Sequence, residues 1–412
     1  MPNLRHLVPL LTAAGILLAG NGIQGTLITL RANQENFEPA IIGLLGTAYF
    51  AGFALSCLFT PRLIRSVGHI RVFAALATTA SAGTLALVLL IDPYVWLLIR
   101  FTTGFCFSGL FMVMESWLNA SSANADRARV FSIYRLVDLG AVAGTQFLLP
   151  VFGTSGFELF AITAIFFSMS LVPVSLGDRS SPKPPEKFNF SLREVWTISP
   201  LACLGVLTLG LTNSSFRFIG PLYASKMGLG TAEIATFIAL NIVGGAILQY
   251  PLGYLSDRFD RRWLVVIATF GAAVAGILLS RAELGEIRYV YFGSFLFGAF
   301  AIPLYSLSIA HANDRAGPSQ YVLVAAGLLF VYALGASVGP FMASLVIDMF
   351  GPPAFFIYTS VAHAALIAVS LFRMSRRPKV PGDSRSRFHM MLRTSPMIAR
   401  LATRKGNKTE NH

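Results

Sequence analysis

Five ionisable side chains sit inside long apolar runs of this sequence: Arg100 and Glu115 in run 94–118, Arg135 and Asp138 in run 129–152, and Arg217 in run 198–222. A charge at the centre of a bilayer costs at least about 2.5–3.5 kcal/mol. Each of these groups therefore has to face a polar or wet interior, where it can bind an ion or exchange a proton. Glu115 and Asp138 are the carboxyls placed to carry a proton through apolar surroundings; Glu115 alternatively bonds the end of its helix to the following loop. Arg135 and Asp138 are three residues apart and share a helix face. They either neutralise each other or form a pair that opens when substrate or a proton arrives. Arg217 lies one turn beyond Asn213, and a buried guanidinium needs an anionic partner. That partner is either a substrate or a distant acid such as Asp138.

Neutral polar residues extend the candidate cavity. Asn21, Gln24, Gln146, Asn213, Asn241 and Gln249 all fall in the middle of apolar runs. Each either lines a solute path or ties two helices together, a bond worth about 0.6 kcal/mol on average. His311 and His363 read as packing residues. Cys57, Cys106 and Cys203 stand alone in apolar stretches, without metal or redox spacing. No cofactor and no metal is expected, and an enzyme acting on lipids would need a convergent catalytic cluster that the sequence does not offer.

The elements that must hold these residues follow from composition. Of 412 residues, 55% are hydrophobic and only 12% charged, against roughly 25% charged in soluble domains. Too few polar side chains remain to cover a water-facing surface, so lipid is the solvent. Apolar runs fall at about 7–30, 40–60, 70–91, 94–118, 129–152, 156–177, 198–222, 231–255, 262–281, 287–311, 320–346 and 352–372. In lipid an open chain satisfies its backbone only as helix. The expected fold is an all-α membrane protein with twelve transmembrane helices in two pseudo-symmetric six-helix bundles. The first run, 7–30, is read as a span and not as a cleaved signal.

The polar stretch "DRSSPKPPEKFNFS" divides the chain. The expected parts are an N-terminal bundle (1–177), a cytoplasmic linker (178–197), a C-terminal bundle (198–373) and a basic tail (374–412). Asn21 and Asn213 are 192 positions apart, as are Pro61 and Gly253; "LGAVAG" at Leu139–Gly144 returns as "LGASVG" at Leu334–Gly339, and "DRA" at Asp126–Ala128 returns at Asp314–Ala316. Such echoes point to an internal duplication, the pattern of a carrier with a midplane site. The G-x-x-x-G sets Gly140/Gly144 and Gly335/Gly339 predict close helix packing.

The net charge of +13 would point to nucleic acid in a soluble chain. Here the basic residues gather in alternate loops and the tail, so the reading is an anionic membrane surface and no nucleic acid. Arg5, Arg62, Arg65, Arg71, Arg127, Arg129, Arg258, Arg261, Arg262 and Arg315 fall on one side, and only Arg31, Lys226, Arg281 and Arg288 on the other. That bias puts both termini in the cytoplasm. The tail "SRFHMMLRTSPMIARLATRK" reads either as an interfacial helix or as a solvated segment.

At "GYLSDRFDRR" the chain resembles the major facilitator superfamily, whose loop motif reads G-x-x-x-D-R-x-G-R-R. Gly253, Asp257, Arg258, Arg261 and Arg262 match, while Asp260 replaces the second glycine. The first-half loop "PRLIRSVGHIR" keeps Gly68 and Arg71 but has Pro61 and Arg65 in place of the first glycine and the aspartate. "RFTTG" (Arg100–Gly104) is similar to the R-x-x-x-G signature of that superfamily. "ESWLN" (Glu115–Asn119) resembles a branch of bacterial permeases within it.

The resemblance implies a secondary transporter, embedded in the lipid of the bacterial inner membrane and working as a monomer by alternating access on a small-molecule substrate. Its helices 1, 4, 7 and 10 line the cavity, which ranks Asn21, Gln24, Arg100, Asn213, Arg217 and Tyr305 as substrate-binding residues. Glu115, Arg135 and Asp138 are the proton-coupling set, and Gly253, Asp257, Arg258, Arg261 and Arg262 the gating loop. Three arginines against two acids within the spans tilt the substrate toward an anionic or zwitterionic molecule. A drug-type exporter of lipophilic cations and a non-transporting sensor on the same fold are the alternatives.

Overall fold

A computed structural model describes residues 7–122, 127–176, 191–317 and 320–376. Within them lie twelve helices long and apolar enough to cross a membrane: Val8–Gln34, Pro39–Val67, His69–Leu89, Pro93–Asn119, Arg129–Phe152, Glu158–Leu176, Pro200–Lys226, Thr231–Arg258, Arg261–Ser280, Ile287–Asn313, Tyr321–Phe350 and Ala354–Arg376. They are numbered spans 1 to 12 in that order. No strand occurs among the described residues. Leu98, Leu136, Tyr250 and Phe270 are exposed, an arrangement costly in water and suited to lipid.

Helix starts follow from short polar residues. Asp92 accepts from the N–H groups of Tyr94 and Val95, both at 2.9 Å, and Pro93 takes the first helical position of span 4. Ser199 caps span 7 through Ala202 N, and Asp260 caps span 9 through Arg262 N. Three spans are interrupted. Span 6 breaks at Ser170 between Glu158–Met169 and Leu171–Leu176. Span 5 passes through a 3-10 turn at Gln146–Leu148, just before Pro150, which has no N–H for the Gln146 carbonyl. Span 10 breaks at Ile302 and Pro303 into Ile287–Ala301 and Leu304–Asn313.

The chain divides into two compact units. The first holds span 1, span 2 from Ala48 onward, and spans 3 to 6. The second holds Glu38–Thr47 and everything from Asn189 through span 12. Glu38–Thr47 joins the second unit because Gly43 and Gly46 lie against Ser344 and Pro340.

The stretch read as a linker ends in a helix, Leu192–Ile198, capped by Ser191. Val195 is buried there against Gly327, and Glu194 accepts a bond from Gln320. Its one apolar turn was too short to stand out between charged neighbours. One expectation, in span 5, needs correction: among the described residues a Cβ at Gly140 or Gly144 would meet nothing within 4 Å, so these glycines mediate no close packing there. Gly335 and Gly339 do, lying against the carbonyls of Leu207 and Leu211 on span 7. The basic tail and Asp126 of the first "DRA" lie outside the described residues.

Candidate functional site

In the first unit a polar network crosses spans 1 to 4. Arg100 is buried to 1% exposure. Its Nη1 donates to Gln24 Oε1 at 3.1 Å, and Gln24 Nε2 donates to Thr84 Oγ1 at 2.9 Å. The guanidinium lies over the Tyr49 ring, 4.5 Å from its centroid, a cation–π contact strengthened by desolvation. Tyr49 Oη donates to Asn21 Oδ1 at 3.1 Å. Asn21, Gln24 and Arg100, ranked together from sequence, are thus one connected group. Gln146 belongs to helix packing: it accepts from Thr26 and donates to the Gly22 carbonyl, both at 2.9 Å.

Glycine places Arg100 over Tyr49. A Cβ at Gly104 would collide with the Tyr49 carbonyl, and one at Gly52 with the Phe101 carbonyl. Spans 2 and 4 therefore touch backbone to backbone, and the arginine one turn before Gly104 lands on the Tyr49 ring.

Further along span 4, Glu115 is fully buried. Tyr134 of span 5, also buried, sits within electrostatic range of Glu115, Asp138 and Arg135. Arg135 and Asp138 form an ion pair, 11% and 15% exposed. His69, at the start of span 3, shares a 3.1 Å hydrogen bond with Ser116. The structure thus brings the three expected proton-coupling residues into one neighbourhood and adds Tyr134, which the sequence reading passed over. Its signal was its place one residue before Arg135.

The second unit repeats this construction. Cβ atoms at Gly244 and Gly298 would collide with the carbonyls of Phe295 and Asn241, so spans 8 and 10 touch as spans 2 and 4 do. Gly52 and Gly244 are 192 positions apart, and Gly104 and Gly298 are 194 apart. Arg261 stands 192 positions after His69. His69 reaches Ser116 on span 4; Arg261 reaches the equivalent end of span 10, donating to the Ala310 carbonyl and to Asp314 Oδ1, both at 2.7 Å. Asp257 accepts a third bond at 3.1 Å. Arg261 is 1% exposed and Asp314 3%, so Arg261 is a buried hub and not a surface anchor. Asp260, in the place of the motif glycine, binds Arg262 at 2.7 Å. Its first-half counterpart, Gly68, has φ 87°, a conformation that favours glycine. Arg258 lies over the Tyr254 ring at 4.3 Å.

Asn213 and Arg217 lie one turn apart on span 7, both half-buried. Tyr305 is buried, edge-on to Tyr332 at 5.8 Å. It follows the break at Ile302 and Pro303, and broken helices are where transporters place solute sites. Gln249 Nε2 donates to Ser306 Oγ at 3.1 Å, and Asn241 bonds to the Ser294 carbonyl; both tie span 8 to span 10. His363 is buried, 6.0 Å from the Phe297 ring. No group of three or more metal-ligating side chains occurs among the described residues.

Twelve spans, two units built on one glycine-spaced plan and charges buried within each define a polytopic membrane protein of the carrier type. The family model described as Major Facilitator Superfamily matches residues 10–247 and 202–406, and the chain belongs to that family. It is 26% identical over 377 residues to an "Uncharacterized MFS-type transporter" of Yersinia pestis (strain Pestoides F), covering 90% of this chain and 95% of the relative. It is 23% identical over 378 residues to the MFS-type transporter YcaD of Salmonella typhi, covering 91% and 97%. Among solved structures it resembles the nucleoside transporter NupG (TM-score 0.73, 11% identity, 90% of this chain and 100% of that one). It also resembles a bacterial homolog of the human lysosomal transporter Spinster (TM-score 0.70, 16% identity, 92% and 97%). These structural likenesses carry the fold. The protein is a multi-pass membrane transporter of a bacterial family.

Proposed function

We propose that the protein is a proton-coupled secondary transporter that moves an anionic or zwitterionic small molecule across the bacterial inner membrane, as a monomer, by alternating access. The observation that carries the coupling is Glu115, a carboxyl fully buried in span 4 and within electrostatic range of Tyr134, which the Arg135–Asp138 pair also reaches. Burying a carboxylate is costly unless a cation pairs with it, so the group is suited to exchange between a proton and a neighbouring guanidinium. Loading and unloading that proton is the step that links the gradient to a conformational change. The partly exposed Arg135–Asp138 pair supplies the cation that opens and recloses.

The substrate reading rests on Arg217 and Asn213 of span 7, with Arg100, Gln24 and Asn21 held in the first unit and Tyr305 beside the break in span 10. Guanidinium groups favour carboxylate or phosphate oxygens. The loop residues Gly253, Asp257, Arg258, Arg261 and Arg262 act as a latch on the end of the second half, which the basic-residue bias puts in the cytoplasm together with both termini. Counterflow of labelled anionic solutes in proteoliposomes tests the assignment. Uptake by the wild type that falls at least about tenfold in Arg217→Ala supports it. Uptake confined to lipophilic cations would overturn the substrate class.

A further inference from the structure

His69 holds in the first half the place that Arg261 holds in the second, 192 positions later. Each is the first residue of its helix, span 3 or span 9. Ser116 and Ala310 are 194 positions apart, the spacing of Gly104 and Gly298. His69 shares its 3.1 Å hydrogen bond with the Ser116 hydroxyl, and Arg261 donates to the Ala310 carbonyl at 2.7 Å. Corresponding contacts therefore tie the third helix of each half to the fourth, through an imidazole in one half and a guanidinium in the other.

The two side chains answer pH differently. A guanidinium keeps its charge throughout, whereas an imidazole gains its proton between about pH 5 and about pH 8. The residue His69 is 1% exposed, and the Trp117 ring lies 6.3 Å from its own. A proton added there places a charge in a buried site. It also turns both ring nitrogens into donors, so neither can accept from the Ser116 hydroxyl. Span 3 packs on spans 4 and 6. Span 4 brings Glu115, the neighbour of Ser116, which lies within electrostatic range of Tyr134. Span 6 starts at Glu158, and its last stretch, Leu171–Leu176, carries no ionisable group. Arg65 and Arg71, on either side of His69 in the chain, are exposed and add like charge. Glu115 favours the added charge, while burial and the two arginines oppose it.

We propose that His69 is a proton-operated latch: in its neutral form it ties the start of span 3 to the end of span 4, and acidification releases it while the Arg261 contact of the second half stays closed. The proposal rests on the carrier reading above, in which this end of the first half opens and closes. It goes beyond that reading by giving the opening a titratable group other than Glu115.

Hydrogen–deuterium exchange of the full-length protein in nanodiscs, without solute, tests it between about pH 8 and about pH 5.5, across the ordinary imidazole range. Rates are corrected for the intrinsic pH dependence of amide exchange. Segments 69–76 and 112–118 should exchange at least about fivefold faster at the acid end, the weight of one hydrogen bond. The start of span 9, residues 261–267, should not change. His69→Gln should remove the acid response, Glu115→Gln should keep it, and Ser116→Ala should exchange fast at every pH. No acid response in the wild type, an equal response at 261–267, an unchanged response in His69→Gln, or Ser116→Ala indistinguishable from the wild type would overturn the proposal. Because no solute is present, failure here leaves the transport reading standing, and failure of solute transport in proteoliposomes leaves the latch standing.

Discussion

Arg100 and Arg261 show two ways of keeping a guanidinium inside a helical bundle. Arg100 is held by an amide and an aromatic face; Arg261 is held by carboxylates and a carbonyl. The consequences of mutation differ accordingly. Tyr49→Phe keeps the ring and removes one interhelical bond, which should cost about 0.6 kcal/mol of stability. Tyr49→Leu also removes the cation–π contact, adding up to about 2 kcal/mol. Chemical denaturation in detergent resolves the two. Asp314→Asn leaves the buried Arg261 without its main counter-charge and should cost about 3–5 kcal/mol; a loss below 1 kcal/mol would mean that the pair is solvated. The sequence revealed Arg100 because an ionisable residue in an apolar run is conspicuous, whereas Arg261 was read as part of the gating loop and its burial was not visible. Their partners were not visible. Nothing local links Gln24 to Thr84, or Arg261 to Asp314, since these bonds join helices that meet only in the folded bundle.

Among the helices, a glycine's meaning depends on which face it occupies, and that is set by tertiary packing. Gly104 sits under the Tyr49 carbonyl, whereas Gly140 and Gly144 face open space. Gly104→Leu should therefore abolish a folded, monodisperse protein in size-exclusion chromatography, and Gly298→Leu should do the same in the second half. Gly140→Ala and Gly144→Ala should be tolerated and should gain about 0.5–1 kcal/mol each from reduced chain entropy. A strict motif reading predicts the opposite for span 5. Helix breaks were equally hidden. Proline lies within continuous helix at Pro61, Pro221, Pro251 and Pro340, yet Pro303 interrupts span 10. Only the structure separates a proline that bends a helix from one that breaks it.

At the scale of the whole molecule, the fold was legible because hydropathy and backbone satisfaction in lipid leave few choices. Twelve apolar runs became twelve helices, with ends displaced by a few residues where caps such as Asp92 and Asp260 set the start. The duplication visible as scattered echoes is structural: the same pair of glycine contacts joins spans 2 and 4 and spans 8 and 10. Substrate identity was not legible. It depends on the shape of a cavity and on which side chains converge there, and twelve similar apolar runs say little about either.

The most direct measurement is proton movement in proteoliposomes loaded with a pH-sensitive dye and challenged with pools of anionic, zwitterionic and cationic solutes. The account predicts that a small anionic or zwitterionic solute acidifies or alkalinises the lumen with the wild type. It predicts that Glu115→Gln abolishes this signal while exchange of the same labelled solute continues. Solute transport by the wild type with no proton movement, or coupling left intact in Glu115→Gln, would contradict it.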